Sequence, residues 1–166
     1  CGKPFGGGRG AYHGLRDTER RLKSRHPELL DHPRYRRHEF IDAMADCYAA
    51  SDLVICRAGA GSLMEVCAQQ RPAVVIPKAN LPGDHQVRNA RVLERAGACR
   101  VLYERLDPGA GSEAVPFVPG ERLATLITEL LADPARRRAM SEAAATVVRG
   151  DARALLADCA AHLLGD

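Results

Sequence analysis

Two short apolar runs stand out along the chain, Asp52-Leu53-Val54-Ile55-Cys56 and Ala73-Val74-Val75-Ile76-Pro77. Each has the length and the β-branched content of a buried strand. Between them lie Gly59-Ala60-Gly61, which reads as a turn, and Ser62 to Gln70, which reads as a helix. Strand, glycine turn, helix and strand make a βαβ unit, and uninterrupted apolar strands predict a parallel sheet covered on both faces. Downstream, Lys78 to Gly83 reads as a loop, Asp84 to Ala96 as a helix and Cys99 to Leu102 as one more strand. Asp107 to Pro119 carries Gly and Pro and reads as a loop; Glu121 to Ala132, Pro134 to Val148 and Asp151 to Leu164 read as helices. Pro134 suits a first helical position, where its missing N–H costs nothing.

Upstream the pattern is weaker. Tyr12 to Arg25 predicts a helix with Leu15 and Leu22 on one side, Pro27 to Pro33 a turn region, and Tyr35 to Phe40 a short polar strand. Ile41, Met44, Ala45 and Tyr48 recur at helical spacing. The fold class is α/β: a Rossmann-like parallel sheet flanked by helices, with a helical C-terminal tail and no internal repeat.

Composition narrows the setting. A chain of 166 residues suits a single domain, residues 1–166. Hydrophobic residues at 46% with aromatics at only 4% and no Trp predict an aliphatic core. A net charge of +3 permits an anionic ligand, whereas nucleic-acid binders cluster Lys and Arg on one face, so no nucleic-acid partner is expected. The six cysteines form no CxxC pair and lack metal-ligand spacing, which points to free thiols in a reducing cytoplasm and to no metal or cofactor. No run approaches the roughly 18 apolar residues of a membrane span. The opening Cys1-Gly2-Lys3-Pro4-Phe5 reads as the middle of a loop, so the chain is expected to be part of a longer protein.

Two segments carry candidate chemistry. Arg57-Ala58-Gly59-Ala60-Gly61-Ser62-Leu63-Met64-Glu65 follows a strand and opens a helix. Open α/β sheets bind ligands at the carboxyl ends of their strands, and a helix amino terminus favours phosphate. Two readings stay open here. The glycines either admit a phosphate or merely form a tight turn, and Ser62 with Glu65 either forms an S-x-x-E capping box or serves a nucleotide, Glu65 accepting hydrogen bonds from two ribose hydroxyls. In the second segment, Pro82 to Ala90, Asp84 is an N-cap candidate, and His85 and Asn89 share a helix face with Gln86 beside them. A ligand-facing cluster and a solvated first turn are both compatible with that spacing.

Taken in order, Phe40-Ile41-Asp42-Ala43-Met44, Asp52 to Ala60, Glu65, Pro72-Ala73, Asp84-His85-Gln86, Asn89-Ala90, Leu93-Glu94 and Ala96-Gly97-Ala98 resemble the C-terminal domain of the MurG-like N-acetylglucosaminyltransferase family. The resemblance runs from Phe40 to Leu102. It implies the donor half of a GT-B glycosyltransferase that binds a UDP-sugar, UDP-N-acetylglucosamine by preference, for inverting, metal-independent transfer in lipid II synthesis. It places Phe40 and Ile41 at the uracil, Gly59, Ala60, Gly61 and Ser62 at the diphosphate, Glu65 at the ribose, and His85, Gln86 and Asn89 at the sugar and its phosphate. Gly61 stands where a bulkier residue often sits, and Gln69-Gln70-Arg71 replaces the usual small residues before Pro72. The resemblance further implies that the first βα unit and the acceptor domain lie outside this sequence. The catalytic base is then expected outside it too, and the piece alone is expected to be inactive. The acceptor is expected to be lipid-linked or of another kind, met through that domain or a partner subunit, with peripheral association at the inner face of the cell membrane. Two other classes remain open: the donor-binding subunit of a split glycosyltransferase or non-catalytic nucleotide-sugar-binding module, and a sugar-nucleotide epimerase, which would need cleft carboxylates that the sequence does not identify.

Overall fold

The computed structural model describes residues 20–36, 38, 41–78, 82–106 and 116–148. The chain divides into two compact units, Cys1–Met44 and Ala45–Asp166. In the first, a helix over residues 20–25 (α1) is followed by α2, Pro27–Leu30. The expected turn at Pro27 is therefore partly helical, because Pro27 occupies the first turn, the one helical place that tolerates it. The expected strand at Tyr35 to Phe40 does not form among its described residues; instead the Tyr35 N–H closes a turn on the His32 carbonyl at 2.8 Å. Its polar side chains give it no face to bury.

The second unit carries the predicted alternation. After α3 (Met44–Ala49) come β1 (Val54–Arg57), α4 (Ala60–Ala68), β2 (Ala73–Ile76), a single 3-10 turn (Pro82–Asp84), α5 (His85–Arg95), β3 (Cys99–Val101), α6 (Gly120–Ala132) and α7 (Pro134–Val147). The sheet is parallel in the order β1-β2-β3, with Arg57 opposite Ile76 and Val75 opposite Val101. That register ends the strands level, so the segments following all three leave from one edge. Short parallel strands of this kind need helical crossovers, and α4 and α5 supply them.

Burial follows position in the sheet. In central β2, Ala73, Val74 and Val75 are fully buried. β1 is not covered on both faces as its apolar run predicted: it lies at the edge of the described sheet, and Ile55 and Arg57 alternate outward as exposed residues. Val74, Leu102, Leu130 and Met140 form the aliphatic centre, joined by Ile76, Leu123 and Leu126. α4 turns Leu63, Val66 and Cys67 inward and packs against β1 and α7. Asp133 begins α7 by accepting the Arg136 N–H at 2.9 Å, with Pro134 in the first turn.

Both crossover helices end the same way. At the end of α5, Gly97 N–H donates to Glu94 O at 3.0 Å and Ala98 N–H to Leu93 O at 2.9 Å, with Gly97 at φ +78. This Schellman ending requires a left-handed residue, for which glycine is suited. At the end of α4 the same pair of bonds runs from Gln70 to Cys67 and from Arg71 to Val66, yet Gln70 holds the left-handed position at φ 51.

Candidate functional site

The sequence N-terminal to α4 leaves the strand edge in extended backbone and enters the helix without a side-chain cap. Gly59 is the N-cap, at φ −66 and ψ 138, and the first helical bond runs from Leu63 N–H to Gly59 O at 3.0 Å. The amides of Ala60, Gly61 and Ser62 precede that bond, so the helix gives them no acceptor. They point along the helix axis at its positive end. Ser62 is thus the third residue of the helix, and the S-x-x-E capping box does not form: the helix starts two residues earlier than the hydrophobic pattern suggested. Glu65 is released from that duty.

The glycines are similarly unexplained by the fold. The Gly59 dihedrals are open to any residue, and Gly61 has no positive φ. A Cβ on either would meet no heavy atom within 4 Å. Neither conformation nor packing among the described residues calls for glycine here, and open space lies over both.

One turn into α4, the exposed Glu65 carboxylate is held from beneath. The Tyr48 hydroxyl, on α3, donates to Glu65 Oε2 at 3.1 Å. Tyr48 is only 7% exposed. Burial, then its hydrogen bond to Glu65 and the charge of that carboxylate, push its phenol up to about 12, so it stays a donor at neutral pH. Periodicity marked Tyr48 only as a core position; a contact across seventeen residues has no signature in a single sequence.

The second motif meets the first through backbone. Asn89 Nδ2 donates to the carbonyl of Ala58 at 3.2 Å, tying α5 to the segment that enters α4. Gln86 Oε1 accepts the Lys78 N–H at 2.9 Å and holds the segment leaving β2. His85 is exposed and lies against Gly83, where an added Cβ would sit 2.9 Å from its Nε2 and where φ is +74. Asp84 takes the N-cap position but adopts φ 48 and makes no side-chain cap bond, contrary to its expected role. A second connection that sequence reasoning missed crosses the whole edge: Arg57 Nη1 reaches Glu104 Oε1 at 2.6 Å and the Ile76 carbonyl at 3.4 Å. The Glu104 side chain is 5% exposed, so this pair fixes the ends of β1 and β2 to the segment after β3.

Gly59, Ala60, Gly61, Ser62, Glu65, Gln86 and Asn89 are therefore gathered at one edge of the second unit, with His85 on the adjoining turn. Ile41 belongs to the other unit, and Phe40 lies outside the described residues. Among the described residues, no group of His, Cys, Asp and Glu could hold a metal ion, and no helix is long and apolar enough to cross a membrane. Burial pushes the half-buried Cys56 thiol up to about 11 and the buried Cys99 thiol up to about 12, which favours the neutral thiol over the thiolate in both.

Comparison with known proteins bears on the family and the fold. The profile of the glycosyltransferase family 28 C-terminal domain matches residues 13–155. The UDP-N-acetylglucosamine--N-acetylmuramyl-(pentapeptide) pyrophosphoryl-undecaprenol N-acetylglucosamine transferase of Salinibacter ruber is 42% identical over 130 residues, covering 78% of this chain and 32% of that protein. The protein of the same name from Sorangium cellulosum is 40% identical over 142 residues, covering 86% of this chain and 32% of its own length. The crystal structure of Acinetobacter baumannii MurG superimposes with a TM-score of 0.58 at 30% identity, over 72% of this chain and 31% of that one. The chain spans about a quarter to a third of the length of the curated relatives it matches.

Proposed function

The chain belongs to the glycosyltransferase family 28 C-terminal domain family, and from that membership we propose that it is the donor half of a MurG-like N-acetylglucosaminyltransferase. Its ligand is a UDP-sugar, UDP-N-acetylglucosamine by preference, the sugar named in its relatives. The observation that carries this reading is the start of α4: an uncapped helix terminus under open space, with an exposed carboxylate one turn on. On this reading the amides of Ala60, Gly61 and Ser62 receive the diphosphate, and Glu65 accepts hydrogen bonds from the ribose hydroxyls. For the uracil, family resemblance alone points to Phe40 and Ile41. His85, with Gln86 and Asn89 as braced amides, faces the sugar and its phosphate.

The chemistry follows from the leaving group. A lipid-linked acceptor hydroxyl attacks the anomeric carbon from the face opposite UDP, the C–O bond to the diphosphate breaks, and configuration inverts. Negative charge grows on the departing diphosphate. Preorganised N–H groups and the helix dipole stabilise that charge without a metal. No side chain of this chain is assigned as the base; the acceptor's proton goes to a group supplied with the acceptor. The membrane is approached from the cytoplasmic side through the acceptor.

Calorimetric titration with UDP tests the site. Glu65→Ala should weaken binding about tenfold, the scale of one hydrogen bond to a charged group. Equal affinities in two folded proteins would remove Glu65 from the ligand and the donor reading with it.

A further inference from the structure

We propose that Tyr48 is a positioning residue that presets the Glu65 carboxylate for the ribose; this rests on the donor-site reading above. Glu65 is exposed, and a free glutamate on a helix surface samples many rotamers that ligand binding would have to freeze. Tyr48 supplies what the surface lacks. Its ring is buried with the body of the unit, so its hydroxyl is fixed by packing, and that hydroxyl donates to Oε2 at 3.1 Å. A carboxylate offers about four acceptor positions. One bond from Tyr48 therefore orients the group while leaving Oε1 and part of Oε2 for two neighbouring hydroxyls. The high phenol pKa keeps the donated proton on Tyr48 across the physiological range.

The geometry also distinguishes this role from ordinary satisfaction of a buried hydroxyl. If the bond served only the core, the partner could be any acceptor and the ligand would be indifferent to its loss. Tyr48 instead donates to Glu65, the one acidic residue of α4. Tyr48→Phe keeps the ring and its packing, and it strands no buried acceptor because Glu65 is exposed. The variant therefore folds, which thermal unfolding verifies.

The test is a titration of UDP, with 2′,3′-dideoxyuridine diphosphate as a second probe, into wild type, Tyr48→Phe, Glu65→Ala and the double variant. Tyr48→Phe should raise the UDP dissociation constant about three- to tenfold, the scale of a modest net hydrogen bond. It should leave the dideoxy probe, which has nothing for Glu65 to hold, within about twofold of wild type. Added to Glu65→Ala it should change neither further, because a residue that acts through another has no effect once the other is gone. If Glu65→Ala weakens UDP while Tyr48→Phe does not, Tyr48 is purely structural and the proposal falls with the donor site intact. Equal losses for Tyr48→Phe in both backgrounds, or for both probes, overturn it as well. Indifference of UDP to Glu65→Ala sinks the donor reading itself, a result separable from the others.

Discussion

Replacing Gly59 by alanine should weaken UDP binding while leaving the fold in place. The backbone at φ −66 and ψ 138 accepts alanine without strain, and the new Cβ meets no heavy atom within 4 Å. Two small opposing effects act on stability. Restricting the unfolded chain favours the variant by about 0.4–1 kcal/mol, whereas alanine is a poorer N-cap than glycine by an amount on the order of 1 kcal/mol. The net is within about 1 kcal/mol of zero, or a few degrees in Tm. The ligand meets a larger change. In the proposed pose a diphosphate on the amides of Ala60, Gly61 and Ser62 passes the α-carbon of Gly59, and a methyl group there would obstruct one or two charge-assisted hydrogen bonds. At roughly 1.5–3 kcal/mol each, partly recovered by a shifted pose, the loss is about 1.5–3 kcal/mol, or ten- to a hundredfold in dissociation constant. Calorimetry with UDP reads the affinity and urea unfolding reads the stability. Gly61→Ala is the control: it stands within the helix, and a Cβ there meets no heavy atom within 4 Å, so its UDP affinity should stay within about twofold and its stability should rise by up to about 1 kcal/mol. A Gly59→Ala protein that binds UDP like wild type would refute the close approach. Collapse of its fold would show that the glycine serves the turn.

Two further outcomes follow from the same coordinates. Gln70 holds the left-handed ending of α4 at φ 51 without glycine's freedom, so Gln70→Gly should stabilise the chain by about 0.5–1 kcal/mol, read from the urea midpoint, with UDP binding unchanged. The raised pKa values of Cys56, Cys99 and Tyr48 predict alkaline sensitivity: the folded thiols and phenol keep protons that the unfolded chain releases above its ordinary values of 9.0 and 10.0. Their stabilising contribution is complete below pH 9 and is lost as pH climbs from 9 to about 12, so urea midpoints should fall over that range, and Tyr48→Phe should lessen only the part of the fall above pH 10.

The sheet was legible because its strands are written in one dimension. Val54, Ile55 and Cys56 and then Ala73 to Ile76 are contiguous apolar runs, and the glycines and polar helix between them admit few other arrangements. What lay beyond reach depended on partners far away in sequence. Ser62 and Glu65 satisfy a local capping rule, and only the coordinates show that the chain enters α4 at Ala60 and leaves the rule unused. Ile55 looked like an interior residue because the run around it is apolar, but burial needs a layer packed on the face it projects from, and at β1, an edge strand among the described residues, that face is left open. The Tyr48 bond to Glu65 and the Arg57 pair with Glu104 join segments that no periodicity connects. Asp84, a good cap by composition, is carried into the left-handed region by the turn at Gly83 and makes no cap.

The proposed site draws on two kinds of group, and they fail differently. Its phosphate-binding part is backbone, visible in the sequence only through what is missing: a side chain at Gly59 and a cap at the start of α4. Any substitution except proline can obstruct such amides but cannot delete them, so no single side-chain change in that loop should abolish binding of the diphosphate. The ribose-binding part is one carboxylate, and it can be removed outright. Loss at Glu65 should therefore be confined to ligands that carry ribose hydroxyls, while obstruction at Gly59 should weaken ribose and dideoxyribose diphosphates alike. A Gly59→Ala protein that discriminated between those two ligands more strongly than wild type would mean that diphosphate and ribose are bound by the same groups, and the division between helix amides and carboxylate would have to be given up.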